Sequence, residues 1–106
     1  MANKARRNNK IRNAARGQEC TLQLFPYCTL NPETVVFCHM DSPDNGIGLK
    51  ASYDFWGAFG CYECHKIADG AHIPKDITPE EILQAKLRGI YRTQKLLMEM
   101  GIIIIK

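Results

Sequence analysis

The stretch Cys61-Tyr62-Glu63-Cys64-His65 decides the fold, because it places two thiols and an imidazole within one short segment. A C-x2-C spacing lets both thiolates reach one ion at the tight turn that opens a helix, where backbone N–H groups also favour negative sulfur. Two further cysteines, Cys20 and Cys28, lie upstream. We therefore predict a tetrahedral zinc site, formed by these four cysteines, that holds the fold together.

The total of five cysteines is odd. Residues 1–16 lack the apolar segment of a secretory signal, and without export an odd count favours metal ligands or free thiols over disulfides. Cys20 and Cys28 flank seven residues, and burial as free thiols is the alternative to metal binding for this pair. Cys38 lies within a predicted strand, and we expect it in the core.

The same stretch also matches C-x-x-C-H, the attachment signature of c-type haem. Haem attachment requires export, for which the sequence carries no signal, and it would leave Cys20 and Cys28 without a role. Zinc is therefore the preferred hypothesis.

The length of the chain limits the number of its domains and the size of its core. A chain of 106 residues forms one domain with a modest core, so that a bound metal would matter to stability. No apolar run approaches the roughly 20 residues of a membrane span.

Six of the 14 basic residues precede the first acid, leaving eight against 11 acids downstream. We predict a flexible basic arm over residues 1–16, which binds nucleic-acid phosphates through Lys4, Arg6, Arg7, Lys10, Arg12 and Arg16.

Residues 17–106 are predicted to form the domain proper, with a core over about 20–70. Residues 34–40 are rich in β-branched and aromatic side chains and predict a strand, with Phe37 and His39 on one face. Residues 53–59 predict a second strand, and residues 64–69 a short helix. The turn-forming composition of residues 41–49 predicts a loop.

A C-terminal helix is predicted over about 79–100. Thr78 is an N-cap residue, Pro79 follows at the first helical position, and Glu81 completes a capping box. Apolar residues then recur at helical spacing: Leu83, Leu87, Ile90 and Leu97.

Two histidines are candidates for chemistry. His39 ends a strand, where an imidazole can act as general base toward water, although a lone histidine beside an apolar run is often structural. His65 and Asp69 are four residues apart, so they share one helix face and form a two-ligand platform for a second metal. A solvated surface acid is the alternative for Asp69. His72 is a third, weaker candidate.

With these residues identified, the chain resembles the HNH (ββα-metal) endonucleases, and more closely the small phage and prophage nucleases of the YbcO type. The resemblance implies an α+β fold of two strands and a helix around a divalent ion such as Mg²⁺, stapled by zinc. By position, His39 matches the general base and His65 the closing metal ligand, while Asp69 stands where many members place a second histidine. The matching segments are residues 15–20, 31–34 leading to His39, 46–50, and 61–65 with Asp69.

The sequence departs from that pattern at three places. No asparagine precedes Cys61 at the usual distance, Asp54 being the nearest polar residue; Cys38 replaces an acidic metal ligand; and Cys20 and Cys28 are widely spaced. Two hypotheses follow. One is a metal-dependent endonuclease that acts on DNA with little sequence specificity in the cytoplasm of a bacterial host. The other is a catalytically inactive, zinc-stapled module that binds DNA or a protein partner.

Overall fold

A two-stranded antiparallel sheet lies at the centre of the computed structural model, which describes residues 8–40 and 53–106. Strand β1 spans Val36–His39 and strand β2 spans Gly57–Gly60. Val36 pairs with Gly60 and His39 with Gly57, so His39 lies at the end of the sheet where β2 begins. All of β2 is buried. The predicted α+β class is confirmed.

Both strands are shorter than predicted, because turns occupy the start of each segment. Asn31 accepts a hydrogen bond from the Glu33 N–H through its side chain and starts a 3-10 helix over Pro32–Thr34. The Trp56 N–H donates to the Tyr53 carbonyl and closes a turn before β2. The predicted loop over residues 41–49 lies outside the described residues.

A short helix, α1, spans Asn9–Asn13 and begins at Asn8, whose side chain accepts hydrogen bonds from the Lys10 and Ile11 N–H groups. Ile11 and Ala15 are buried in the core. Residues 8–16, the part of the basic arm that the structure describes, therefore pack against the body of the protein.

Two longer helices follow the sheet. Helix α2 spans Tyr62–Ala68 and starts directly after β2. Helix α3 spans Pro79–Glu99, and the predicted capping box is confirmed, since the Glu81 N–H donates to Thr78 Oγ1 at 3.1 Å and the Thr78 N–H to Glu81 Oε1 at 3.3 Å.

Only two of the four apolar residues that recur at helical spacing, Ile90 and Leu97, lie on the buried face of α3. Leu83 and Leu87 are 57% and 52% exposed. Small residues occupy the buried face instead, and they let α3 approach β2 closely; that face consists of Ile82, Ala85, Gly89, Ile90, Thr93 and Leu97.

A hydroxyl network joins α3 to β2. The hydroxyls of Thr21 and Thr93 lie 2.8 Å apart, and both accept from the Phe59 N–H, at 2.9 and 3.2 Å. The Thr21 N–H donates to the Phe59 carbonyl at 2.7 Å. Residues 20–31, in which Thr21 lies, contain no regular strand, although Thr21, Leu22, Leu24 and Phe25 favour one.

None of the described helices is both long and apolar enough to cross a membrane.

Candidate metal centre and histidine site

The four predicted zinc ligands meet in the structure. The Sγ atoms of Cys20, Cys28, Cys61 and Cys64 all lie within 4.8 Å of one another, and the four residues are buried. The Sγ atoms of Cys28 and Cys61 are 3.9 Å apart. A tetrahedral zinc ion with Zn–S bonds of about 2.3 Å requires sulfurs about 3.8 Å apart. The cluster therefore fits a thiolate-bound divalent ion with little adjustment.

Local structure explains how the cluster forms. Cys61 is the N-cap of α2 and Cys64 lies in its first turn, so their thiols reach one point, as the C-x2-C spacing predicts. Cys20 and Cys28 come from the irregular segment 20–31, in which the Tyr27 and Cys28 N–H groups both donate to the Leu24 carbonyl. This tight turn brings together two cysteines that are distant in sequence.

Backbone N–H groups point at the sulfurs. The Leu24 N–H donates to Cys64 Sγ at 3.4 Å. Burial alone would raise the pKa of the Cys61 thiol, but the hydrogen bonds from Cys64 and Thr29 outweigh it, and the pKa of Cys61 is lowered. The Cys64 thiol donates a hydrogen bond to the Cys20 sulfur. This bond lowers the pKa of Cys20 to about 5 and raises the pKa of Cys64. A cation would stabilise all four thiolates together.

His39 contacts a buried carboxylate. Its Nε2 lies 3.2 Å from Asp54 Oδ1, and Asp54 is fully buried. The Phe37 ring packs edge-on against the imidazole with ring centroids 5.0 Å apart, so the two side chains share a face of β1, as predicted. The candidate base therefore has a fixed neighbour on either side.

The same carboxylate binds the N-terminal helix. Arg12 donates from Nε to Asp54 Oδ2 at 3.0 Å and from its terminal nitrogen to Oδ1 at 3.3 Å. The Asn8 N–H donates to Oδ2 at 2.6 Å. Sequence reasoning noted Asp54 as a polar stand-in but missed this role. A single acid between Tyr53 and Phe55, in an aromatic segment, was the available signal, because a buried carboxylate requires partners.

His65 and Asp69 lie together near the C-terminal end of α2, with His65 Nε2 3.7 Å from Asp69 Oδ2 and the side chains 40% and 50% exposed. Asp69 Oδ1 accepts a hydrogen bond from the Ala71 N–H, which fixes the carboxylate. In residues 8–40 and 53–106, the four cysteines are the sole group of three or more His, Cys, Asp or Glu close enough to share an ion. The pair thus offers two protein ligands.

Cys38 lies between the sheet and α2. A Cβ at Gly60 would lie 2.6 Å from Cys38 Sγ and 3.6 Å from the backbone nitrogen of His65, so the thiol is near the start of α2. Burial raises the pKa of Cys38 to about 12, assisted by the charges of Cys20 and Asp69. The Cys38 thiol is therefore neutral near pH 7, and its expected core position is confirmed.

A cleft of about 280 Å³ opens beside His39. Two arginines and apolar residues of β1 line it, and its lining includes Arg12, Arg16, Val36, Phe37 and His39. Lys10 lies on α1. Lys4, Arg6 and Arg7 lie outside the described residues. The structure therefore places part of the predicted basic arm beside the candidate base.

Comparison with known proteins identifies relatives along nearly the whole chain. The family model described as "Putative nuclease YbcO" matches residues 9–102. "Putative nuclease YbcO" of Escherichia coli (strain K12) is 32% identical over 95 residues, covering 88% of this chain and 95% of the relative. "Putative nuclease ybcO" of Enterobacteria phage 82 matches to the same extent.

A solved structure also matches. "Structure of a putative bacteriophage protein from Escherichia coli str. K-12 substr. MG1655" superposes with a TM-score of 0.70 at 29% sequence identity, covering 87% of this chain and all of the other. The fold described above is thus shared with an experimentally determined chain.

Proposed function

Because this chain belongs to the family described as "Putative nuclease YbcO", we propose that it is a metal-dependent endonuclease of the HNH type, of phage or prophage origin, which hydrolyses DNA phosphodiester bonds. Residues 17–106 form the nuclease domain in this proposal, and residues 1–16 form its DNA-binding arm. Zinc, held by Cys20, Cys28, Cys61 and Cys64, is the structural metal.

The order of elements carries the proposal. β1 ends at His39, β2 returns antiparallel to it, and α2 follows at once and bears His65. Helix α2 packs against both strands. This ββα order, with one histidine on the strand and a histidine and a carboxylate on the helix, supports the proposal, although His65 and Asp69 are not among the residues that line the cleft beside His39.

Each residue then has a defined task. His39 takes the proton from the attacking water at a ring nitrogen. His65 and Asp69 would hold a divalent cation. Mg²⁺, for example, commonly binds through one or two carboxylates together with water and substrate phosphate. Such an ion, when bound, polarises the phosphoryl oxygen and stabilises the leaving oxygen.

The basic arm supplies affinity without sequence readout. Lys4, Arg6, Arg7, Lys10 and Arg16 would contact phosphates, and release of counterions would drive binding. Arg12, which the charge pattern groups with them, is bound to Asp54. The described part of the arm lies beside His39 across the cleft, which would bring a bound backbone to the candidate base.

One observation favours the second function, a zinc-stapled module that binds DNA or a partner without turnover. At the position that the resemblance sets against an acidic metal ligand, the chain has a buried thiol, Cys38. Burial raises its pKa, so it would offer no charge to a catalytic cation. In that case the cysteine cluster and the arm keep their roles while hydrolysis is lost.

A plasmid-nicking assay in Mg²⁺ or Mn²⁺ separates the two functions. We expect nicking by the parent protein and a loss of about 10²–10⁴-fold in His39→Ala, the usual contribution of a general base. Added imidazole should restore part of the rate if the side chain acts as a base. Equal background from parent and variant, with DNA binding retained in both, would instead support the inactive module.

A further inference from the structure

We infer that Asp54 is a positioning residue for His39, that Arg12 and the Asn8 N–H hold Asp54 in place, and that Arg16 is the cation left to contact substrate phosphate. The inference rests on the proposed nuclease function, which it deepens. It divides arginines that the charge pattern groups together into two with different tasks.

Because Asp54 is buried, it requires partners that hold it in place. A fully buried carboxylate is retained only where partners compensate for lost hydration. Arg12 supplies two hydrogen bonds, one to each oxygen, and the Asn8 N–H supplies a third. These donors fix the orientation of the carboxylate plane, and His39 Nε2 meets the remaining side of Oδ1 at 3.2 Å.

That contact determines the imidazole tautomer. A carboxylate can only accept, so the neutral His39 ring must carry its proton on Nε2. The lone pair then lies on Nδ1, which becomes the nitrogen able to accept a proton from water. Phe37, packed edge-on against the ring, restricts rotation that would exchange the two nitrogens. Asp54 therefore selects the basic atom without touching substrate.

Arg12 and Arg16 differ in what they already bind. Both line the cleft beside His39, yet the Arg12 guanidinium is committed to Asp54. Arg16 is exposed, and no ion pair forms to it within residues 8–40 and 53–106. A phosphate entering the cleft would thus find Arg16 available, while displacing Arg12 would disturb the base.

The first test is the nitrogen NMR spectrum of ¹⁵N-histidine-labelled, zinc-loaded protein, which distinguishes the two neutral tautomers. We expect His39 to be protonated on Nε2 in the parent. In Asp54→Asn we expect the proton to move to Nδ1, because the amide oxygen turns to Arg12 and the amide N–H₂ donates to the ring. A parent ring protonated on Nδ1 would overturn the inference.

The second test compares kinetics on a short DNA duplex. We expect Asp54→Asn to reduce kcat by about 10²-fold or more with KM little changed, since a misplaced proton removes base catalysis. Arg16→Gln should raise KM, keep kcat, and lower the salt slope of binding by about 1. Unchanged kcat in Asp54→Asn, or an unchanged KM and salt slope in Arg16→Gln, would contradict the assignments.

If Asp54→Asn loses zinc or its folded spectrum, Arg12→Lys replaces it as the test variant. Arg12→Lys keeps the charge but loses the two-pronged contact with Asp54, so it should show a smaller fall in kcat. An unchanged kcat in Arg12→Lys would overturn the inference. If the parent shows the Nε2 tautomer but no nicking under any divalent cation, the nuclease function fails while the pairing of Asp54 with His39 stands.

Discussion

Cys38 and Cys61 are both buried cysteines, and their surroundings give them opposite chemistry. The Cys61 thiol receives hydrogen bonds from Cys64 and Thr29 that lower its pKa against the effect of burial. The Cys38 thiol lies mid-strand, and burial raises its pKa to about 12. What separates the two is position, because Cys61 is one of four sulfurs that meet at one point and Cys38 is not in that group.

Replacing one ligand should separate the two classes of cysteine. We expect Cys61→Ser to lose the bound zinc and the cooperative thermal transition, because the free energy of structural metal binding contributes directly to folding. Metal analysis and thermal circular dichroism measure both effects.

Cys38→Ala is the matched control, and it should retain one zinc per chain while costing about 1–2 kcal/mol of stability through lost packing. Zinc retained by Cys61→Ser with an unchanged melting temperature would argue against the four-cysteine site.

The limits of sequence prediction are clear at single residues. The C-x2-C pair could be assigned because its spacing is local, and the start of α2 gives both thiols one target. Asp54 could not be assigned, because its partners Asn8 and Arg12 are 46 and 42 residues away along the chain. Such pairings depend on how α1 packs, which no local pattern encodes.

Helix α3 approaches β2 closely at Gly89. A Cβ at that position would lie 2.9 Å from Leu22 Cδ2 and 3.2 Å from the Ala58 Cβ. Leucine can rotate away, but Ala58 is fixed in β2. The glycine that weakens the helix by propensity is therefore needed for the helix to pack on the sheet.

Gly89→Ala tests this contact, because propensity and packing predict opposite signs. In an exposed helix the change would stabilise by about 1 kcal/mol. Here we expect a net loss of about 1–2 kcal/mol, since overpacking a core costs about 1–3 kcal/mol. Gln84→Ala, on the exposed face of the same helix, should lie within about 0.5 kcal/mol of the parent in urea denaturation. A more stable Gly89→Ala would show that the contact relaxes freely.

Thr93→Val addresses the hydroxyl network between α3 and β2. We expect a loss of about 1–3 kcal/mol, because Thr21 and the buried Phe59 N–H lose a partner while side-chain volume is kept. Gln94→Ala removes an exposed hydrogen bond to the Phe55 carbonyl, and it should cost no more than about 0.5 kcal/mol. Equal losses in the two variants would indicate that burial of the network is unimportant.

Prediction was most accurate for α3 and least accurate for the strands. The start of α3 is set by Thr78 and Glu81, whose capping contacts are local. Of its apolar series, Ile90 and Leu97 are buried, whereas Leu83 and Leu87 are exposed, because a leucine pattern cannot show that Ala85, Gly89 and Thr93 fit closer to the sheet. The bounds of β1 and β2 depend on pairing between distant segments, and turn-forming residues shortened both.

At the scale of the whole molecule, the cysteine cluster links the irregular segment 20–31 to the start of α2. Segment 20–31 contains no helix or strand, so its order depends on these contacts together with the burial of Thr21, Leu22 and Leu24. In the proposed function the basic arm contributes differently, since its charge would act on nucleic acid over distance.

Removing the metal should therefore unfold more than the site. A strong chelator is expected to release about one zinc per chain and abolish the cooperative thermal transition. Re-addition of zinc should restore it, whereas Mg²⁺ should not, because thiolates prefer softer ions. Purified protein that contains no zinc and melts identically with and without chelator would contradict this.

The arm predicts a steep dependence of DNA binding on salt. Neutralising Lys4, Arg6 and Arg7 together should reduce the slope of log K against log salt concentration by about 2–3, at roughly 0.9 per phosphate contact. The matched triple change of Lys75, Arg88 and Lys95 should leave the slope nearly unchanged. The same reduction in both variants would mean that net charge, rather than the arm, attracts DNA.

Thr21 protects the outer edge of β2 from pairing with another copy of the chain. Its N–H and hydroxyl satisfy the carbonyl and N–H of Phe59 on the side of β2 away from β1. An open strand edge is a template on which another chain can add, and it is a common start of aggregation. One threonine thus substitutes for a third strand, and β2, although short and apolar, presents no bare central peptide on that side for a misfolded copy to pair with.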